Sequence, residues 1–246
     1  MNLIIDLGNT RIKYFVFNNN NEIDSTNLNL DDWEIELNKL LDKYPSISRC
    51  IISDVNGSIT REIENFLSPL PYIYCSSELK LPFESKYNPF NQLGSDRIAL
   101  ITSSVIKYPK ENVLIIDLGT CITYDILTSN AIHLGGSISP GHVMRYKALN
   151  KFSGKLPLLD PEMVYKVIGE NTEQAIHCGI TNGIISEVKE TINYYRKEFK
   201  FLKVILSGGD AQKLSKTLKN TIFANKNFLA KGLNFILSSN INKWSE

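Results

Sequence analysis

A six-residue string occurs twice in the chain, and this repetition limits the possible folds more than any other feature. Leu3-Ile4-Ile5-Asp6-Leu7-Gly8 opens the sequence, and Leu114-Ile115-Ile116-Asp117-Leu118-Gly119 restates it just before the midpoint. With Asn9 taken as an insertion, Thr10, Ile12 and Tyr14 align with Thr120, Ile122 and Tyr124. Large and branched apolar residues suit a buried strand, and glycine after the carboxylate allows a tight turn into a second strand. Such a turn offers N–H groups and a hydroxyl that can hold phosphate oxygens, beside a carboxylate that can hold a cation. One copy alone reads more readily as a plain hairpin signal. Two copies favour two phosphate-facing turns opposed across a cleft.

At 246 residues the repeat favours two domains of roughly 110 to 130 residues each, large enough for real cores. The chain is 43% hydrophobic and 22% charged, an ordinary globular composition. Its net charge of +1 gives no electrostatic reason to expect nucleic acid or a membrane surface. The start lacks a basic leader and its apolar run breaks at Asp6, so no signal peptide is expected, and no stretch reaches transmembrane length. Cys50, Cys75, Cys121 and Cys178 form no Cys-x-x-Cys pair, and His133, His142 and His177 make no metal-ligand spacing. Reduced thiols in a cytoplasmic protein without zinc are therefore expected.

The periodicity predicts strands at Lys13–Phe17 and from Glu22, then a helix capped by Asp31 or Asp32 with Trp33, Leu37, Leu40, Leu41 and Tyr44 on one face. Strands at Cys50–Asp54 and Tyr72–Cys75 alternate with helices at Thr60–Leu67 and Gly94–Ile106. The second half repeats the opening with strands at Val113–Asp117, Ile122–Leu127 and Ala131–Ile138. Helices are expected after Pro140-Gly141, at Pro161–Ile168, from about Thr172 to Phe199, near Ala211–Lys219 and at Asn227–Leu237, with a strand at Val204–Leu206. That order is ribonuclease-H-like: a hairpin-led mixed sheet with helices on both faces, occurring twice.

Four segments could carry chemistry. Asp6 to Lys13 could wrap phosphate, with the Lys13 ammonium neutralising transferred charge, although a solvated strand lysine fits equally well. No Gly-x-x-x-x-Gly-Lys-Ser/Thr occurs, so a nucleotide site would use hairpin turns instead of a Walker loop. Asp117 to Thr120 offers a cation ligand and a phosphate contact, and Ser207-Gly208-Gly209-Asp210 could admit an adenosine. In Gly94-Ser95-Asp96-Arg97, Asp96 at a helix start could accept a proton and Arg97 could grip a carboxylate, while an N-cap and a surface ion pair explain the same residues.

Together these motifs resemble the type III pantothenate kinases, within the acetate and sugar kinase, heat-shock chaperone and actin superfamily. The resemblance also includes Tyr87-Asn88-Pro89, Leu134-Gly135-Gly136 with Pro140-Gly141, Lys155-Leu156-Pro157 and Gly169-Glu170-Asn171-Thr172. It implies two ribonuclease-H-like (actin-like ATPase) domains, at 1–111 and 112–246, with a nucleotide cleft between them and a helical dimerisation segment in the second. It also implies ATP-dependent phosphorylation of pantothenate to 4′-phosphopantothenate, the first step toward coenzyme A. By position, Asp96 is implied as the catalytic base, and Tyr87, Gly94, Ser95, Asp96, Arg97 and Thr172 as the pantothenate contacts. Asp6, Leu7, Gly8, Asn9, Thr10, Arg11, Ile12, Lys13 and Thr120 are implied as the ATP contacts. Asp117 matches the family's monovalent-cation ligand, for K+ or NH4+, with Mg2+ accompanying ATP.

The resemblance further implies a homodimer in which the partner chain completes each pocket. Ala175, Gly179 and Gly183 recur every four residues and permit close helix packing, either within the chain or between chains. Ser95 and Cys121 replace alanines common in the family, and the His142–Asn150 segment carries no ligand assignment. A noncatalytic regulator similar to the Bvg accessory factors, or another small-molecule kinase of the superfamily, is the alternative.

Overall fold

The computed structural model describes residues 1–8, 11–28, 33–55, 57, 60–68, 70–214, 217–218, 221–224 and 227–240. The expected cap at Asp31 or Asp32 lies outside the described residues. The chain divides into two compact units.

In the first unit, β1 (Asn2–Leu7), β2 (Ile12–Asn18) and β3 (Asn21–Leu28) lead into α1 (Trp33–Lys43), β4 (Arg49–Asp54), α2 (Thr60–Leu67) and β5 (Tyr72–Tyr74). A short β6 (Glu84–Ser85) and a turn of 3-10 helix at Phe90–Gln92 precede α3 (Ser95–Lys107). The sheet order is β3-β2-β1-β4-β5. β1 is antiparallel to β2 and parallel to β4, and β4 is parallel to β5. Every residue of β1 is buried, as befits a central strand covered on both faces. β3 alternates exposed and half-buried positions, the pattern of an edge. Leu3, Ile5, Ile12, Tyr14, Trp33, Leu37 and Ile52 belong to one buried cluster of this unit.

In the second unit, β7 (Val113–Leu118), β8 (Cys121–Leu127) and β9 (Ile132–Pro140) restate the opening meander, followed by α4 (His142–Ser153) and the long α5 (Thr172–Glu198). β10 (Lys203–Ser207), a 3-10 turn at Ala211–Leu214 and β11 (Ile222–Phe223) complete it. The neighbour order β9-β8-β7-β10-β11 mirrors that of the first sheet. β7 is antiparallel to β8 and parallel to β10. Ile176, Ile180, Ile184 and Val188 of α5 join the core around Leu114, Ile116 and Leu206, so the apolar face of α5 is internal.

Two sequence expectations are corrected. Pro161–Ile168 is not helical: residues 154–171 run without regular structure. Their backbone groups find side-chain partners instead of a helical ladder. Val164 N donates to Thr181 Oγ1 at 3.1 Å, Asn182 Nδ2 donates to the Lys166 carbonyl at 2.7 Å, and Tyr146 Oη donates to the Glu162 carbonyl at 3.0 Å. Ala211–Lys219 is likewise not one helix, since only Ala211–Leu214 forms a 3-10 turn among its described residues.

The last helix, α6 (Phe228–Ser239), follows β11 in sequence. By packing it belongs to the first unit, which takes residues Met1–Pro109, Ala131–His133 and the stretch from Asn227, and the second takes Lys110–Asn130 and Leu134–Lys226. Asn234 of α6 joins that unit's hydrogen bonds, accepting from Asn2 Nδ2 at 2.7 Å and donating to the Asn19 carbonyl at 2.8 Å. No helix among the described residues is long and apolar enough to cross a membrane.

Candidate active site

The first turn is built by the β1–β2 register. It sets Asp6 opposite Lys13, and Lys13 Nζ lies 3.1 Å from Asp6 Oδ2. Asp6 is buried, whereas Lys13 is about half exposed, its side chain retaining 44% of its accessible area. The ammonium therefore meets solvent on one side and the carboxylate on the other. Gly8 N donates to the Arg11 carbonyl at 3.0 Å, so that N–H closes the turn. The Leu7 and Ile12 side chains are in the core, which leaves their backbone as the part able to touch a ligand. Arg11 is exposed, and Asn9 and Thr10 lie outside the described residues.

The Gly94–Arg97 segment differs from a simple cap. Gly94 itself is the N-cap of α3, with no side-chain cap bond, and Ser95 and Asp96 are already helical. Ser95 Oγ instead meets Ser53 Oγ at 3.0 Å and the Asp54 carbonyl at 3.2 Å, tying the helix start to the end of β4. Asp96 is half-buried, and its Oδ1 accepts from Arg97 N at 2.8 Å. A Cβ added at Gly94 would come within 2.6 Å of Asp96 Oδ1. Glycine there leaves the space that the carboxylate occupies. The first turn of α3 places that carboxylate at the positive end of the helix dipole.

Arg97 is buried instead of lying on the surface, and its guanidinium lies 5.1 Å from the centre of the Tyr87 ring. Tyr87 also stacks on His133, with ring centres 6.3 Å apart and planes inclined by 21°. His133 is fully buried, and its Nδ1 shares a 2.8 Å hydrogen bond with Ser85 Oγ, which also accepts from Tyr87 N at 3.1 Å. The first unit thus brings Tyr87, Asp96 and Arg97 into one neighbourhood. Sequence reasoning missed Ser85 and His133, because an isolated histidine in a strand carries no motif.

In the second unit three turns converge. Gly119 N donates to the Cys121 carbonyl, Gly141 N to the Thr120 carbonyl and Asp210 N to the Leu118 carbonyl, at 3.0, 3.0 and 3.1 Å. Two glycines in these turns have no room for a side chain. A Cβ at Gly141 would lie 2.2 Å from the Gly119 carbonyl oxygen, and one at Gly208, where φ is +91°, would lie 2.4 Å from that of Leu118. The Asp117 backbone pairs with Thr123, the position corresponding to Lys13 in the first unit. Asp117 is half-buried, Thr120 is exposed, and Thr172 is exposed at the start of α5. Asn171 caps that helix, accepting from Gln174 N at 2.9 Å.

His142 lies beneath these turns in a small pocket shared with Gly119, Met163 and Asp210. It is only 3% exposed, and neither ring nitrogen has a hydrogen-bond partner among the described residues. Burial holds its pKa below the ordinary imidazole value, with Asp210 and the nearby Glu162 backbone opposing that shift and Lys213 and His177 reinforcing it. A lowered folded-state value means that the unfolded chain takes up the proton first. Stability is therefore full above pH ~6.5 and falls as the pH drops through the folded-state value. Denaturation midpoints measured from pH 7.5 to 5 are expected to decline less in His142→Leu than in the native protein. Parallel declines would refute this.

The family model described as type III pantothenate kinase matches residues 2–194. The chain belongs to the type III pantothenate kinase family. A protein of that name from Christiangramia forsetii is 47% identical over 241 residues, covering 98% of this chain and 99% of the relative. Among solved structures, a Campylobacter jejuni protein assigned to the Baf family of transcriptional activators superposes with a TM-score of 0.64 at 24% identity, over 98% and 99% of the two chains. A Listeria monocytogenes protein assigned as an N-acetylmannosamine kinase gives 0.51 at 14% identity, over 99% of each chain. These two likenesses concern the fold, which is the two-sheet α/β architecture of sugar kinases and actin-like ATPases. The type III pantothenate kinase match extends through both repeated turns, α3 and most of α5.

Proposed function

We infer that this chain phosphorylates pantothenate with ATP, forming 4′-phosphopantothenate on the route to coenzyme A. The observation that carries the site assignment is the start of α3, where Gly94 makes room for the Asp96 carboxylate and the next residue, Arg97, is buried against Tyr87. An arginine fork matches a carboxylate through two parallel hydrogen bonds, as pantothenate's carboxylate requires. Tyr87, Gly94, Ser95, Arg97 and Thr172 form the proposed substrate set.

Asp96 orients the primary hydroxyl. The hydroxyl oxygen bonds to the γ-phosphorus as the bond to the β–γ bridging oxygen breaks, ADP leaves, and the hydroxyl proton passes to Asp96. Because the transition state is loose, that proton moves late. The 6–13 turn, including Lys13, and Thr120 serve the nucleotide phosphates, whose charge Mg2+ offsets when bound. Asp117 and the carbonyls of its turn are oxygen donors, suited to a hard monovalent cation such as K+ or NH4+.

The proposed assembly is a cytoplasmic homodimer. Its support is the exposure of large apolar side chains in the second unit, with Phe152 at 82%, Val167 at 81% and Ile168 at 77%. Open space beside Gly179 on α5 is further support. Purified protein with magnesium-ATP and pantothenate is expected to give phosphopantothenate by mass, faster with K+ or NH4+ than with a bulky organic cation. It is expected to sediment as a dimer. No product under any cation condition would overturn the kinase assignment in favour of a regulator, and an active monomer would overturn the dimer.

A further inference from the structure

Glu187 projects from the middle of α5 into the second unit and gathers three donors. Tyr124 Oη donates to its Oε1 at 2.7 Å, Ser139 Oγ donates to the same oxygen at 2.5 Å, and Arg145 Nη2 donates to Oε2 at 2.5 Å. Both members of the ion pair are largely covered, with side-chain exposures of 29% for Glu187 and 20% for Arg145. Burial works to raise the Glu187 pKa, but the hydrogen bonds from Ser139, Arg145 and Tyr124 outweigh it and keep the carboxyl ionised.

Arg145 does more than neutralise that charge. Its Nε donates to the Pro140 carbonyl at 2.8 Å. The next residue, Gly141, donates its N–H to the Thr120 carbonyl at 3.0 Å and sits too close to Gly119 to carry a Cβ. A continuous chain of polar contacts therefore runs from α5 through Arg145 and the Pro140–Gly141 backbone to the Gly119–Thr120 turn. Gly183 has a place in it: a Cβ there would stand 3.6 Å from Arg145 Nη1, so one glycine of the α5 small-residue stripe lies beside the guanidinium.

We propose that the Glu187–Arg145 pair is a positioning device for the nucleotide-facing Thr120 turn, acting through the backbone of Pro140 and Gly141. This rests on the assignment of Thr120 to ATP. The guanidinium bonds the Pro140 carbonyl through Nε and Glu187 through Nη2, two nitrogens fixed in one plane, whereas a lysine ammonium is a single nitrogen on a flexible stem and does not hold two acceptors at those positions. Removing the fork frees the Pro140–Gly141 segment to shift against Thr120, and displacements near 1 Å at a binding turn are costly.

The experiment compares steady-state kinetics of the native protein, Arg145→Lys, Glu187→Gln, Tyr124→Phe and the double variant Arg145→Met with Glu187→Met. Arg145→Lys and Glu187→Gln are expected to raise KM for ATP ~10-fold, with KM for pantothenate unchanged. Tyr124→Phe, which removes one neutral hydrogen bond and is the mildest change, is expected to raise it ~3-fold. The double variant separates positioning from stability: replacing both charges with apolar groups recovers melting temperature but not KM for ATP. Unchanged KM for ATP, an equal rise for both substrates, or recovery of KM in the double variant would overturn the proposal. Failure of the kinase assignment would be distinct, because the native protein itself would then make no product.

Discussion

Asp96→Asn is expected to lower kcat by about 10²- to 10⁴-fold while leaving the fold and both KM values close to native. The amide matches the carboxylate in size, so it fits the space that Gly94 leaves and can still accept from Arg97 N. Ser95 continues to anchor the start of α3 to Ser53 and Asp54. What disappears is the carboxylate proposed as the proton acceptor. Losing the charge at a helix start costs about 0.3–1 kcal/mol of stability, too little to unfold a chain of this size. The loss in kcat instead reflects the proton that the attacking hydroxyl can no longer deliver. Single-turnover measurement of phosphopantothenate, beside a thermal melt, separates the two effects. Turnover near the native rate in a folded Asn variant would remove Asp96 from the proton-accepting role.

The repeat carried most of the fold because strand and turn are local. Apolar runs ending in Asp-Leu-Gly became β1 and β7, and the same hairpin follows each. Register then made the two copies chemically different in a way the aligned letters only partly disclosed. Lys13 stands across from Asp6, but Thr123 occupies the matching position across from Asp117. The helix expected from about Thr172 to Phe199 is α5, whereas the internal placing of its Ile176–Ile180–Ile184–Val188 face is visible only in the packing.

Long-range side-chain bonding defeated the local signals elsewhere. Pro161–Ile168 has helical spacing, yet Thr181, Asn182 and Tyr146 bind its backbone groups and it forms no helix. His133 becomes significant only through Tyr87 and Ser85, which are distant in sequence. Arg145 lies in a segment that matched no motif, and its proposed role depends on a carboxylate on the next helix, α5. Ala175, Gly179 and Gly183 recur every four residues, yet within the chain a Cβ at Gly183 would meet Arg145 Nη1 at an ordinary 3.6 Å and one at Gly179 would meet nothing within 4 Å.

A second large effect is expected at Gly232, in the interior of α6. Glycine at such a position gives up about 1 kcal/mol of helix propensity relative to alanine, so on local grounds Gly232→Ala should stabilise. The packing reverses that expectation. A Cβ at Gly232 would lie 2.0 Å from the Ala99 carbonyl oxygen and 2.7 Å from Ser103 Oγ, both on α3. A serine hydroxyl can rotate away, but a carbonyl in the middle of a buried helix moves only with its backbone. Overpacking of this kind costs about 1–3 kcal/mol or more, and contact with main chain places it at the upper end, for a net loss of about 2 kcal/mol. In a domain of this length that corresponds to a fall in Tm of roughly 4–8 °C. The same displacement reaches the chemistry, because α3 begins at Ser95 and carries Asp96 in its first turn. Gly232→Ala should therefore lower both the thermal midpoint and kcat, whereas Asp96→Asn lowers kcat alone. A melt at or above the native midpoint would show that α6 can be moved away from α3 without cost, and would separate the last helix from the positioning of Asp96.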